Sequence, residues 1–519
     1  MTVLGRLVCA TVASVVVGVC AASAVAEPRM DGFFDEWTAP DQIATDAAGD
    51  ASGAFDVQRV YATSRGSRLF VRFDTTQVRN LQSGSAGDGT LRVEIAMPAN
   101  RFLTIDMRNK RLWRDNNSNL TLSWSTMGYA TAPSYAASEF ELVVDLAYFG
   151  VGPGSAITIN FSGADTLLAS APFVMTDPAV VPQRRSADRA PGTAFRVATL
   201  NTLQSGIIDG TQAPRLSRLV DAVGADIYCF QEEYDSSAAQ IDTFVTGADP
   251  LENGASWTVH KNFDNAIATH GSLLPITAAN SSYAAAVVDF GAGDAVVVFA
   301  IHPKCCGYIG SSEDATRISQ MNALAGTLAN LRSGALGPSF AQYVDAPAII
   351  IGDWNIVGSR TQLDIVENPL GPDVAEIVPE NLIGNEVITW RGTSTGAGSF
   401  SPGRLDLLTH SNEGLTPLKS FVLDSALLNA GELAALGLQA ADSTASDHLM
   451  LAADFSFATP PPPHCDGDAD GNLLVDFDDI TSVLANWGGP GPEGDADASG
   501  LVDFDDITAA LANWASDCP

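Results

Sequence analysis

PAIIIGDWN, residues 347–355, carries the fold decision: four successive apolar residues, Ala348 to Ile351, run straight into Asp353 and Asn355. A strand with one wet face alternates apolar and polar residues, whereas an unbroken apolar run of this length reads as a strand buried on both faces. The same shape recurs along the chain. FRVATLNT (195–202) ends at Asn201, ADIYCFQEE (225–233) reaches Glu232, and AVVVFAIH (295–302) ends at His302. Two later pieces, GRLDLL (403–408) and ASDH (445–448), add Asp406, Asp447 and His448. The expected class is α/β, with strands enclosed between layers and polar chemistry gathered at their ends.

The residue types at those ends suit phosphoester hydrolysis. A divalent cation needs hard oxygen ligands with room left for phosphate, and Asn201, Glu232 and Asp447 are the candidates. Orienting water for attack is work for a carboxylate or for a histidine paired with one. Charge that builds on the phosphoryl oxygens strengthens donors such as Asn355 and His302. Lys304, Arg317, Arg391 and Arg404 are the basic residues best placed in sequence to meet phosphate. His260, His270 and His410 fall outside the motif runs and are expected to be surface or core residues. A serine hydrolase is disfavoured, since no G-x-S-x-G turn follows a strand.

Taken in order, the T-x-N strand, the Q-E strand, the strand ending in His, then G-D-x-N, R-L-D and S-D-H, resemble the DNase I-like endonuclease/exonuclease/phosphatase superfamily. The resemblance spans residues 193–456, half the chain, and implies a four-layered α/β sandwich with two packed sheets and helices outside. It also implies a metal-dependent phosphoric-ester hydrolase using Mg²⁺ or Mn²⁺. By the resemblance Asn201 and Glu232 hold the metal, Asp353 and Asn355 handle water and phosphoryl oxygens, Asp406 orients His448, and His302 contacts phosphate. The implied substrate is a phosphodiester, in nucleic acid or phospholipid, as for an extracellular nuclease or a sphingomyelinase-like phospholipase. Two departures stand out. Leu203 occupies the position where some apurinic endonuclease-like members carry an acid, which weakens a repair role. HPKCCG (302–307) sets Cys305 and Cys306 beside His302, where they form a vicinal disulfide or line the pocket.

Working outward, residues 27–175 read as an all-β sandwich. Leu91, Val93, Ile95 and Met97 alternate with Arg92, Glu94 and Ala96. The opening MDGFFDEW (30–37), with DAAGD and FDVQRVYAT after it, resembles CBM9-like modules, which implies a polysaccharide ligand. Trp37 and Trp124 would suit sugar stacking, although burial in a sandwich core is the commoner outcome. A Pro- and Arg-rich seam at 176–192 and a proline run at 457–463 separate the modules.

Residues 464–519 contain thirteen acidic residues and no Lys or Arg. They repeat at an offset of 27, GDADGNLLVDFDDITSVLANW against GDADASGLVDFDDITAALANW. Asp468, Asp470, Asn472, Asp476 and Asp479, then Asp495, Asp497, Ser499, Asp503 and Asp506, have the spacing of two EF-hand-type calcium loops. Each loop runs into an apolar stripe, Ile480, Val483, Leu484 and Trp487, then Ile507, Ala510, Leu511 and Trp514, and the two stripes are expected to face each other. Loop plus helix, duplicated, resembles dockerin modules, which implies a cohesin-like scaffold partner. Cys465 and Cys518 bracket the module and are expected to pair.

Arg6, an apolar run at 7–19 and Ala24-Val25-Ala26 form an export signal over residues 1–26. A secreted or surface-associated location with no integral membrane anchor follows. The net charge of −34 provides no global attraction for nucleic acid or anionic membranes, so any phosphate must be held locally. The rival expectation is a non-catalytic extracellular binding and assembly protein. The completeness of the polar set argues for the enzyme.

Overall fold

The computed structural model describes residues 28–177, 185–251, 255–367, 374–382, 386–392, 400–457, 467–470, 472, 474–489, 494–497, 499 and 501–514. The expected signal at 1–26, the proline run at 460–463, and Cys465 and Cys518 lie outside the described residues.

The N-terminal module is built from two antiparallel sheets. One orders Gln42–Thr45, Val57–Arg65, Arg68–Arg79, Ala137–Asp145 and Ala130–Ala132, and the other Ala171–Val174, Ala156–Gly163, Leu91–Met97, Arg101–Asp106, Arg111–Arg114 and Thr121–Leu122. Along Leu91–Met97 the buried residues are Leu91, Val93, Ile95 and Met97, as a period of two requires. They join Val60, Leu69 and Val71 of the other sheet in one apolar cluster. Trp124 is in that cluster, stacked on Tyr129, and the buried Trp37 donates its indole N–H to Glu141. Neither ring is offered to solvent, which corrects the sugar-stacking expectation for these two residues.

The central region has two further sheets. The first orders Thr258–Asn262, Asn265–Thr269, Ile227–Gln231, Phe195–Asn201, Met450–Phe457, Leu415–Leu423 and Glu380–Asn381; the second orders Ser272–Ile276, Tyr283–Asp289, Ala295–Ile301, Ala348–Asp353, Asp406–Ser411 and Val374–Ile377. Every residue of Phe195–Asn201 is buried. Phe195 and Val197 pack between the sheets against Ile349 and Ile351, while Ala198 and Leu200 pack on Leu216, Leu219 and Val220 of the helix Ala213–Val223. On the far side Phe299 and Ile350 meet Met321, Leu324 and Leu328 of the helix Ser312–Arg332. The layers therefore run helix, sheet, sheet, helix, a mixed α/β fold. Each large apolar side chain enclosed in this way contributes about 1.5–3 kcal/mol.

Strand direction brings the polar ends together. Phe195–Asn201 runs parallel to Ile227–Gln231 with Asn201 beside Gln231, and Ala295–Ile301 runs parallel to Ala348–Asp353 with Ile301 beside Gly352. The antiparallel neighbour starts at that same edge, with Asp406 opposite Asp353. Gly352 is required there. Its φ is +147°, and a Cβ would fall 2.2 Å from the Ile301 carbonyl oxygen.

At the C-terminus the helices Phe477–Ala485 and Phe504–Ala512 enclose a small core of Ala469, Val483, Ala496 and Val502. Of the two expected stripes, Val483 and Ala510 are buried but Leu484, Trp487, Leu511 and Trp514 are exposed. This corrects the facing-stripe expectation. A core of such small residues draws in only one edge of each nine-residue helix and leaves the bulkier residues outside.

Candidate active site

Asp353 is the point on which the site converges. Its Oδ2 lies 3.6 Å from Nε2 of both His302 and His448. The same oxygen accepts hydrogen bonds from Asn201 Nδ2 at 3.2 Å and Asn355 Nδ2 at 3.3 Å. Behind each imidazole stands another carboxylate: His302 Nδ1 is 2.5 Å from Asp264 Oδ2, and His448 Nδ1 is 2.8 Å from Asp406 Oδ2. A carboxylate at Nδ1 holds a proton there and turns Nε2 toward the cavity.

Burial opposes the charged form of His448, but Asp406, Asp353 and Asp447 outweigh it and push its pKa up to about 10. His302 is raised in the same way, with Asp264, Asp353 and Glu232 overcoming desolvation. At neutral pH His448 therefore carries protons on both ring nitrogens in the bare protein, and in His302 the same kind of carboxylate surroundings favour the charged form.

Glu232 is fixed by unusual backbone. It has φ +61°, and Leu203, Gln204 and Ser205 have φ +59°, +51° and +63°. Left-handed geometry at consecutive non-glycine residues is costly and persists only where its surroundings enforce it. Here it aims the Gln204 N–H at Glu232 Oε2 (2.9 Å), while Asn201 Nδ2 donates to Oε1 at 3.1 Å. Asn355 is also left-handed, at φ +47°, and its backbone N–H donates to Asp353 Oδ1 at 2.9 Å.

These groups surround a cavity of about 180 Å³ lined by Glu232, His302, Asp353, Asn355, Asp447 and His448, with Asn201 and Asp406 bonded directly behind it. Asp447 is held by the Trp390 indole N–H at 3.3 Å. The donor set suits a small hard cation: Glu232, Asp353 and Asp447 all line the cavity, and Asp353, Asp406 and His448 have ligand atoms within 4.8 Å of one another, with each imidazole backed by Asp264 or Asp406. Asn201 presents its NH₂ here, with its amide oxygen accepting from Leu203 N–H, so its use as a ligand requires the amide to turn over.

Three of the four basic residues singled out in the sequence are spent elsewhere. Arg317 is buried against Asp314 and the carbonyls of Lys304 and Cys306, Arg391 pairs with Asp424, and Arg404 is buried against Glu376. Cys305 and Cys306 line the cavity, unbridged in this structure, with their sulfurs 2.9 Å apart. His270 bonds Asp226, and His410 is buried with its Nδ1 donating to the Ser411 carbonyl.

Asp264 and Trp390 were missed by sequence reasoning. Asp264 precedes the strand Asn265–Thr269, which is antiparallel to Ile227–Gln231, so the start of one strand and the end of the other share an edge. Attention to strand ends alone overlooks an acid at a strand start.

In the C-terminal loops Asp468, Asp470 and Asp479 have carboxylate oxygens within 4.8 Å of one another, as do Asp495, Asp497 and Asp506. Asp476 and Asp503 cap their helices, accepting from Asp478 N–H and Asp505 N–H at 2.8 Å. The Asn472 and Ser499 backbone amides donate to Asp468 and Asp495.

No family model and no curated protein matches the sequence. Among solved structures, the chain is similar to an endonuclease/exonuclease/phosphatase family protein from Leptotrichia buccalis C-1013-b, with 11% identity and a TM-score of 0.33 over 51% of this chain and 100% of that one. It is similar to ANGEL2, a 2',3'-cyclic phosphatase solved with adenosine-2',3'-vanadate, with 16% identity and a TM-score of 0.34 over 53% and 99% of the two chains. The AP endonuclease LMAP from Leishmania major matches with 12% identity and a TM-score of 0.34 over 54% and 93%. These structure neighbours are endonuclease/exonuclease/phosphatase proteins, and they match over about half the chain.

Proposed function

We propose that the chain is a metal-dependent phosphoesterase that hydrolyses phosphodiester bonds, with Mg²⁺ or Mn²⁺ held by Glu232, Asp353 and Asp447, and by Asn201 after its amide turns. The observation that carries the reading is the pair of Asp–His units, Asp264–His302 and Asp406–His448, aimed from two sides at Asp353. When bound, the cation supplies Lewis acidity toward a phosphoryl oxygen. The chain's own groups do the rest. Asp353 is the carboxylate placed to take a proton from attacking water. His448 holds a proton on Nε2 and donates toward developing charge or toward the leaving oxygen, and His302, backed by Asp264, is placed to do the same. Asn355 holds Asp353 in position through two hydrogen bonds.

In the same reading the N-terminal sheets are a CBM9-like sandwich with a polysaccharide ligand. The C-terminal repeat is a dockerin-like module taking two Ca²⁺ ions and a cohesin-like partner, and the protein is exported. The exposed Leu484, Trp487, Leu511 and Trp514 favour partner docking at that end. Among the described residues no helix is long and apolar enough to cross a membrane.

Hydrolysis of bis-p-nitrophenyl phosphate, with and without EDTA, tests the catalytic reading against Glu232→Ala and His448→Ala. Activity that both chelation and either substitution remove supports it; equal inertness of wild type and variants with every divalent ion sinks it.

A further inference from the structure

The catalytic cavity is not built by the central region alone. Gln82, Thr131 and Ser134, all from the N-terminal module, share its lining with Glu232, His302, Asp353 and His448. Each is fixed where the module grips the segments that flank the catalytic acids. Ser134 Oγ bonds the carbonyls of Ile356 (2.9 Å) and Arg404 (3.0 Å), one just after Asp353 and the other just before Asp406. Asn80 Nδ2 donates to the Val357 carbonyl at 2.8 Å, its oxygen accepts from Ile309 N–H at 2.7 Å, and Ala136 N–H reaches the Gly358 carbonyl at 2.7 Å. Gln82 Oε1 takes the Ser401 N–H at 2.5 Å, leaving its NH₂ as the free donor function of that amide. Thr131 donates its backbone N–H to the Pro402 carbonyl. Lys110, from the same module, places its ammonium 3.8 Å over the ring of Phe400, another residue of the cavity wall.

A polymer substrate needs the opposite of this arrangement. A protein that tracks a duplex commonly makes on the order of 6–10 phosphate contacts along an open basic groove. Here Arg317, Arg391 and Arg404 are consumed by internal partners, the chain carries −34, and a second module closes one side of the cavity.

Building on the phosphoesterase reading, we propose that the N-terminal module is a specificity wall of the active site that confines the enzyme to small soluble phosphoesters. The interior of a duplex and headgroups packed in a bilayer are excluded by it. Gln82 is the residue through which the wall meets the substrate, as a donor in the cavity that both imidazoles line, and Lys110 backs the wall by holding Phe400 in place.

The experiment compares kcat/KM of the full chain, loaded with Mn²⁺, on bis-p-nitrophenyl phosphate, covalently closed circular plasmid and sphingomyelin in phosphatidylcholine vesicles. The wild type is expected to favour the small ester by roughly 100-fold or more. Gln82→Ala is expected to shrink that preference by about 3–10-fold, the worth of one hydrogen bond, and Lys110→Ala to raise KM for the small ester at little cost in kcat. Plasmid nicking or vesicle hydrolysis as efficient as small-ester turnover overturns the inference while leaving the phosphoesterase reading intact. A preference that neither variant alters overturns the module's part in it. Inertness toward all three substrates overturns the phosphoesterase reading, and the inference with it.

Discussion

The central cavity and the C-terminal loops both gather carboxylates, yet they hold them by different means. In the cavity Asp264 and Asp406 are each matched to an imidazole, and Asp353 faces two ring nitrogens. In the loops the acids are matched to backbone: Asp479 Oδ1 accepts from the amides of Ala469 and Asp470, and Asp506 Oδ1 from those of Ala496 and Asp497. An imidazole can pass a proton on; a peptide amide cannot. Acid clusters of similar size therefore suit different work, proton transfer at the centre and fixed cation binding at the end. A third arrangement sits in the N-terminal module, where the buried Glu141 carboxylate accepts from the Gly32 amide and the Trp37 indole, its only hydrogen bonds among the described residues.

The largest effect that sharpens this contrast is expected at Asp353. Asp353→Asn keeps the shape and removes the proton acceptor, so kcat on bis-p-nitrophenyl phosphate should fall by about 10²–10⁴-fold. Asp479→Ala with Asp506→Ala should leave that rate unchanged. Asp264→Asn should cost about 10–100-fold, because His302 loses the partner that orients it. The high-pH limb of the pH–rate profile, where His302 gives up its proton, should move to lower pH with the lost carboxylate charge. A pure stability defect would lower the active fraction without moving the profile.

Calcium addition should stabilise the C-terminal repeat against urea by about 2.7 kcal/mol per site at 100 times Kd, read from fluorescence of Trp487 and Trp514. Asp479→Ala and Asp506→Ala should abolish the gain. A pH effect away from both acid clusters concerns Glu141, whose pKa burial pushes up to about 8 from the ordinary 4.5. Between those values the folded chain keeps a proton that the unfolded chain has lost. The Glu141 contribution to stability should therefore be complete below about pH 4.5, decline by up to about 1.4 kcal/mol per pH unit as pH rises toward 8, and level off above it. Glu141→Gln should remove that slope from the difference in urea midpoints between wild type and variant.

The doubly buried strands were legible because each face packs on a different layer: Val197 meets one neighbour and Leu200 another, so a position is apolar unless it has a buried polar partner, as Arg196 has in Asp454 and Thr199 in the Cys229 carbonyl. The strand ends were legible for the same reason, since Asn201, Glu232, His302 and Asp353 interrupt runs that have no other cause to stop. Asp264 was not legible, because its role depends on an antiparallel neighbour whose pairing no local pattern reveals. The strained loop at 203–205 was equally hidden; Leu-Gln-Ser carries no turn signature, and tertiary contacts impose its left-handed form. The cavity wall from Gln82, Thr131 and Ser134 was hidden too, because domain-to-domain contact leaves no periodicity in either partner. At the C-terminus the repeat was plain, but the exposure of Trp487 and Trp514 reflects the small volume of Ala469 and Ala496 rather than the stripe itself.

Anomalous scattering from manganese in crystals of the full chain is the most direct test of the metal-dependent site. A peak is expected, bounded by the carboxylates of Glu232 and Asp353, with His302 and His448 still backed by Asp264 and Asp406. Ions bound solely at Asp468–Asp479 and Asp495–Asp506, with the central cavity bare at saturating manganese, would contradict it.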